Sequence, residues 1–114
     1  MTTREQALAA FRIFTAGDVL MRRYAESTYM ATLYDEELIQ AVGRLSKVLD
    51  SVRPTIGTDA YNAGQGEVPA ITARRLSEAL NPLLDLFDRL APDDSKLSAA
   101  RGLARKAVRA VEAA

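Results

Sequence analysis

Residues 76–90 read LSEALNPLLDLFDRL, and this stretch decides the fold class. Its apolar residues recur at alternating spacings of four and three, which places them along one face of a helix. Alternation with a period of two, which is typical of a strand, persists nowhere in the chain. The pattern therefore predicts an all-α protein. The apolar seam of this stretch consists of Leu76, Leu80, Leu83, Phe87 and Leu90.

The same spacing predicts three further helices. They extend over about residues 3–33, 35–52 and 95–114, and the helix already described begins near Pro69. Asp35 can cap the second helix, because aspartate accepts hydrogen bonds from the free N–H groups of a first turn. A four-three alternation suits antiparallel helices that cross at about 20°. We therefore predict an antiparallel four-helix bundle that forms one domain over residues 1–114.

Three positions disturb these helices. The first segment is either one long helix or two helices that meet near Gly17, and its unbroken seam favours one helix. The second helix is expected to end before Pro54, because the residue before a proline disfavours the helical conformation. In the third helix, Pro82 predicts a kink, or a restart capped by Asn81, and the seam favours the kink.

The last helix follows a turn at residues 91–95. Either Asp93 or Asp94 can cap it. The connection over residues 53–69 is different, because it is long and contains three glycines and two prolines. Connections longer than about 12–15 residues are usually functional or disordered. It lacks the Walker and dinucleotide-binding patterns, so no nucleotide cofactor is predicted.

The composition excludes several classes of function. The chain contains no cysteine and no histidine. A disulfide framework, a zinc–thiolate site, a Ser-His-Asp triad and a Glu-x-x-His di-iron centre are therefore excluded. No pattern brings other polar groups together at a catalytic spacing. We therefore predict a non-enzymatic protein without a cofactor or a metal ion.

The sequence also bears on localisation. No stretch contains the ~20 apolar residues that a membrane-spanning helix needs. The N-terminal residues lack the positively charged segment and the cleavage site of a signal peptide. We therefore expect a cytoplasmic protein without a membrane span.

Positive charge is concentrated in the C-terminal segment. The chain is neutral overall, yet residues 95–114 contain five basic residues and one acidic residue. At about 100° per residue, four of the basic residues fall within one arc, opposite to the apolar positions. This arc either binds phosphates or an acidic surface, or is the solvated face of an ordinary helix. The four candidates are Arg101, Arg105, Lys106 and Arg109.

Three tyrosines are further candidates for contact with a partner protein. Tyr29 and Tyr34 lie off the seam of the first helix, and Tyr61 lies in the long connection. Tyrosine is favoured at interfaces because it is rigid and amphipathic, although each of these residues could equally pack against its own bundle. Asp85 and Asp88 share one helix face, which is either an acidic docking site for another chain or a solvated face paired with Arg89.

These observations predict a non-enzymatic helical protein–protein interaction module, an adaptor or regulator that associates with itself as a homodimer. The reason is the number of apolar residues beyond the seams, which exceeds what one small bundle is expected to bury. They are Val19, Leu20, Leu33, Ile39, Val48, Ile71, Leu84 and Leu86. The alternative is a nucleic-acid-associated accessory protein that binds phosphates through the basic C-terminal helix, although no base-reading motif supports it.

Overall fold

A computed structural model describes residues 3–27, 35–56 and 68–112. Four helices make up nearly all of these residues, and no strand occurs among them. The predicted all-α fold with four helices is therefore confirmed. The helices are α1 (Thr3–Glu26), α2 (Glu36–Ile56), α3 (Val68–Leu90) and α4 (Ser95–Glu112).

Contacts between α2 and α3 show that these two helices are antiparallel. Near the start of α2, Glu37 lies 3.6 Å from Arg89 at the end of α3. Near the end of α2, Ser51 accepts a hydrogen bond of 3.1 Å from Arg75 at the start of α3. α1 packs extensively on both α4 and α3, whereas α2 packs on α3 and to a smaller extent on α1. α2 and α4 therefore lie on opposite sides of the bundle.

The buried apolar side chains form one cluster to which all four helices contribute. The predicted seam of α3 lies in this core, with Leu90 at its edge. Tyr24 of α1 stacks on Phe87 at a ring-centroid distance of 5.8 Å. The largest fully buried side chains are Ile13, Leu20, Leu38, Leu45, Val52, Leu76, Leu80, Leu83, Leu84, Phe87 and Leu97.

The first helix is continuous through Gly17, as its seam predicted. A Cβ atom at this position would lie 3.4 Å from Leu49 Cδ2, so the glycine lies directly against α2. The predicted end near Leu33 is wrong, because α1 ends at Glu26. Ser27 has left the helix, and its hydroxyl donates a hydrogen bond of 2.6 Å to Asp94. Residues 28–34 lie outside the described residues.

The predictions for the two prolines inside helices have different outcomes. α2 does not end before Pro54 but continues to Ile56, so the predicted boundary is wrong. A proline in the last turn removes only one helical hydrogen bond, while the additional turn buries Ile56 in the core. α3 runs through Pro82 as one helix, as the seam favoured. Asn81 does not cap a restart, because its amide donates to Glu112 Oε1 at 3.0 Å.

Two aspartates cap helices in the manner expected from the sequence. The Leu38 N–H donates a hydrogen bond of 3.0 Å to Asp35 Oδ1 at the start of α2. The Leu97 N–H donates one of 3.3 Å to Asp94 Oδ1 at the start of α4. Of the two residues that could cap α4, Asp94 therefore does so, since it occupies the position just before the first helical residue.

Candidate interaction surface

Arg101, the first of the four predicted basic residues, is buried rather than solvent-facing. Only 8% of its surface is exposed, because Leu97 and Ala104 on the same side of α4 belong to the core. Its guanidinium donates hydrogen bonds to Phe87 O at 3.3 Å and Pro92 O at 2.8 Å, and it also pairs with Asp88 Oδ1 at 3.2 Å. Arg101 therefore caps the C-terminal end of α3, where backbone carbonyls lack helical partners.

Arg105 lies one turn further along α4 and joins the same network. It is half-buried and pairs with Asp85 at 3.2 Å and with Asp88. The hydrogen bond to Asp88 is the main reason why the pKa of Arg105 is raised, and it outweighs the opposing effect of partial burial. The predicted acidic face thus pairs with α4 of its own chain. It does not pair with Arg89, which instead lies near Glu37.

The two remaining basic candidates on α4 stay exposed. Lys106 and Arg109 are accessible to solvent, and neither forms an ion pair within the described ranges. The prediction of one solvent-facing basic arc is therefore wrong for Arg101 and only partly right for Arg105. The candidates Tyr29, Tyr34 and Tyr61 lie outside the described residues.

Most of the apolar residues expected to need a partner find one inside the bundle. Leu20, Leu84 and Leu86 are buried, and Val19 and Val48 pack partly buried against the core. The inference of surplus apolar residues was wrong for these five, because four helices cover more surface than their seams alone indicate. Of the remaining three, Ile39 and Ile71 are exposed, and Leu33 lies outside the described residues.

Three large apolar side chains that the sequence analysis did not single out are also exposed. Leu8 and Phe11 on α1 are each 49% exposed, and Leu103 on α4 is 51% exposed. Leu8 and Phe11 are three residues apart and form a second stripe outside the alanine-rich core face of α1. The spacing of three between Leu8 and Phe11 was the signal in the sequence that could have identified this stripe. Leu103 lies outside the buried face of α4, which contains Ala100, Ala104 and Val108.

These side chains border a groove between α1 and α4, here called the α1/α4 groove. Its larger part, of about 460 Å³, is lined by Phe11, Arg12, Ala16, Leu103 and Lys106, together with smaller side chains. A smaller part of about 230 Å³ continues along Leu8 towards the start of α1. The groove exists because alanines occupy the facing positions of both helices. These further lining residues are Ala9, Ala107 and Ala110.

The rim of the α1/α4 groove carries Arg12 and Lys106 along its larger part and Glu5 at its smaller part. Arg12 and Lys106 are exposed and form no ion pair with any residue that the structure describes. Elsewhere in the bundle several arginines are neutralised, as Arg53 is by Asp18 at 3.1 Å. An exposed apolar surface with unpaired cations at its edge has the composition of a protein contact, with an apolar centre and a polar rim.

A second depression, of about 560 Å³, lies between α2 and α3 and has a polar lining. Glu37, Arg44, Asp85 and Arg89 border it, and two of these side chains already pair with each other. Within the described ranges, no three side chains of metal-ligating type lie close enough together to bind a metal ion. The arrangement offers charged side chains but no nucleophile paired with a base, so no reaction can be assigned to it.

Comparisons of the chain with protein-family models, curated proteins and solved structures find no match. Among the described helices, none is both long enough and apolar enough to cross a membrane. Functional inference therefore rests on the surfaces described above, and the α1/α4 groove groups three of the five large apolar side chains that are exposed among the described residues.

Proposed function

We propose that this protein is a non-enzymatic helical interaction module, an adaptor or regulator that associates with itself through the α1/α4 groove. The observation that supports the proposal is the grouping of Leu8, Phe11 and Leu103, each about half exposed, around one concave surface. Single exposed apolar residues are common on protein surfaces, whereas a contiguous patch with a polar rim marks a contact site. Self-association covers this patch without requiring any other component.

The exposed area indicates a weak contact. Burying the remaining half of Leu8, Phe11 and Leu103 contributes roughly 1 kcal/mol for each side chain, since complete burial contributes about 1.5–3 kcal/mol. The sum of about 3 kcal/mol is less than the estimated cost of association, roughly 4–15 kcal/mol, so surrounding surface must also contribute. We therefore expect a dissociation constant on the order of micromolar or weaker.

The alternative, binding of nucleic-acid phosphates by the basic C-terminal helix, has less support. Arg101 and Arg105 are committed to Asp85, Asp88 and the end of α3. Only Lys106 and Arg109 of the four candidates are then available on that helix, and two charges supply a small part of the usual phosphate contacts. Binding to duplex or single-stranded nucleic acid at low salt would revive this alternative.

A pair of matched variants tests the proposal. Phe11 and Ile71 have nearly equal exposure, but only Phe11 lies in the α1/α4 groove. Phe11→Glu should lower the molar mass measured by light scattering to that of a monomer, at concentrations where the unaltered protein associates. Ile71→Glu adds the same charge elsewhere and should associate like the unaltered protein. Equal behaviour of the two variants would reject the groove as the contact.

The expected cytoplasmic location is a separate part of this proposal. It is tested by fractionating cells that produce the untagged full-length chain and locating it by immunoblot. Recovery mainly from the membrane or secreted fraction would contradict it.

A further inference from the structure

We propose that α4 is a detachable helix, which opens away from the other three helices while they stay folded, and that this opening takes apart the α1/α4 groove. Local openings of this kind occur where an element is held less firmly than the rest of a fold. The opening of α4 is independent of the self-association proposed above, whereas its effect on a contact at the groove rests on that proposal.

The apolar attachment of α4 is weaker than that of α2. The hydrophobic side chains that α4 buries are Leu97, Ala100, Ala104 and Val108. Those that α2 buries are Leu38, Leu45, Leu49, Val52 and Ile56. Because the free energy of burial grows with the apolar area removed from water, two alanines hold a helix less firmly than two leucines do. Removing α4 from the bundle therefore costs less than removing α2.

Polar contacts with α3 instead occur along the whole length of α4. Arg101 pairs with Asp88 at 3.2 Å, and Arg105 pairs with the same carboxylate. Near the end of α4, Glu112 accepts a hydrogen bond of 3.0 Å from the Asn81 amide. Such groups exchange their protein partners for water when a helix leaves, so their net contribution to the attachment is modest. We call these contacts the α3/α4 polar contacts.

Unsatisfied polar atoms provide an independent reason to place an opening between α3 and α4. Among the described residues, two buried side-chain atoms lack a hydrogen-bond partner, Ser77 Oγ and Arg101 Nε. Arg101 belongs to α4, and Ser77 lies on the stripe of α3 that also contains Asn81 and Asp88. A buried polar atom without a partner destabilises the closed state. Opening of α4 lets water reach both atoms and thereby removes this cost.

The position of α4 allows it to leave without disturbing α2. These two helices lie on opposite sides of the bundle, so the contacts of α2 with α1 and α3 persist when α4 opens. The α1/α4 groove does not persist, because Leu103, Lys106 and Ala107 leave with α4 while Phe11 remains on α1. Only the closed form can therefore associate through the groove.

A matched pair of cysteine variants tests the opening of α4. The chain contains no cysteine, so an introduced cysteine is the only thiol. Val108 on α4 and Val52 on α2 are 3% and 2% exposed, and each lies four residues before the last residue of its helix. At low protein concentration, a thiol reagent should label Val108→Cys at least about tenfold faster than Val52→Cys, because local opening is more frequent than global unfolding. Equal rates would show that α4 opens only when the whole molecule unfolds, and would overturn the proposal.

A second substitution tests the role of the α3/α4 polar contacts. Added to Val108→Cys, Asp88→Asn should raise the labelling rate at least about tenfold, because the buried Arg101 guanidinium loses its counter-charge. Asp18→Asn is the control, since it removes an ion pair with Arg53 between α1 and α2 that remains intact when α4 opens. It should leave the labelling rate of Val108→Cys unchanged. An unchanged rate after Asp88→Asn would show that these contacts do not hold α4.

Hydrogen exchange of the unaltered chain gives a measurement that needs no substitution. Backbone amides of α4 should exchange at least about tenfold faster than the slowest amides of α2. Their exchange should also depend less on added urea, because local opening exposes less surface than global unfolding does. Equal protection of the two helices, with equal dependence on urea, would contradict a detachable α4.

The concentration dependence of labelling separates this inference from the proposed self-association. Association through the groove stabilises the closed form by mass action, so labelling of Val108→Cys should slow as the protein associates. A constant labelling rate while the molar mass rises would show that the contact does not need α4 closed, and would overturn the link to the groove. If the protein stays monomeric, self-association fails, whereas the difference between Val108→Cys and Val52→Cys still decides whether α4 opens alone.

Discussion

Arg101→Ala tests whether the basic residues of α4 serve the fold or a partner. Arg101 is buried and donates hydrogen bonds to Phe87 O and Pro92 O, besides its pair with Asp88. Hydrogen bonds to a charged group contribute about 1.5–3 kcal/mol each, but they are not additive. Phe87 O retains a second donor, the Ala91 N–H at 2.9 Å, and this bond reduces the free energy of unfolding that the substitution removes.

We therefore expect Arg101→Ala to lower the free energy of unfolding by about 2–3 kcal/mol, of which the short bond to Pro92 O accounts for the largest share. Urea unfolding followed by circular dichroism measures this change through a shift of the midpoint. Arg109→Ala is the matched control and should cost less than about 0.5 kcal/mol, as exposed substitutions usually do. Equal losses for the two variants would refute the structural role of Arg101.

Further predictions concern the start of α4 and the proline inside α3. Asp94→Ala should cost about 1–2 kcal/mol in urea unfolding by removing the cap of α4, whereas Asp93→Ala should be nearly neutral. Pro82→Ala should raise the free energy of unfolding by about 1–2 kcal/mol, because an exposed interior proline omits a helical hydrogen bond and only part of this gain is offset by a more flexible unfolded chain.

The helices could be predicted because their signal is repeated along the chain. The seam of each helix places an apolar residue at every turn. A single glycine at position 17 or proline at position 82 therefore did not outweigh the prediction of a continuous helix. Capping by Asp35 was equally local, since the residue and its target N–H groups are adjacent in sequence. The end of α2 was misplaced because the burial of Ile56 depends on neighbouring helices, which the residue before Pro54 does not reveal.

The partners of the charged residues could not be predicted from the pattern within any single helix. Arg101 lies on the basic arc of α4, yet the turn at residues 91–94 brings it to the last carbonyls of α3. In the sequence, Asp85 and Asp88 form one cluster on α3, and Arg101 and Arg105 belong to another on α4. Their pairing depends on how α3 and α4 align, and no spacing within either helix specifies that alignment.

The exposed apolar groove was missed for a related reason. Leu8, Phe11 and Leu103 are apolar residues near an apolar seam, and sequence alone favours assigning such residues to the core. Whether they are buried depends on which helices lie beside α1 and α4. The alanine-rich faces of these helices leave a groove rather than a filled interface, so these side chains remain half exposed.

Sedimentation equilibrium of the unaltered full-length chain tests the central claim most directly. The protein should be analysed at low ionic strength over concentrations from about one to several hundred micromolar, a range that brackets the expected weak affinity. Self-association predicts an average molar mass that rises with concentration above the monomer value of 12.4 kDa. A mass that stays at the monomer value throughout this range would contradict the claim.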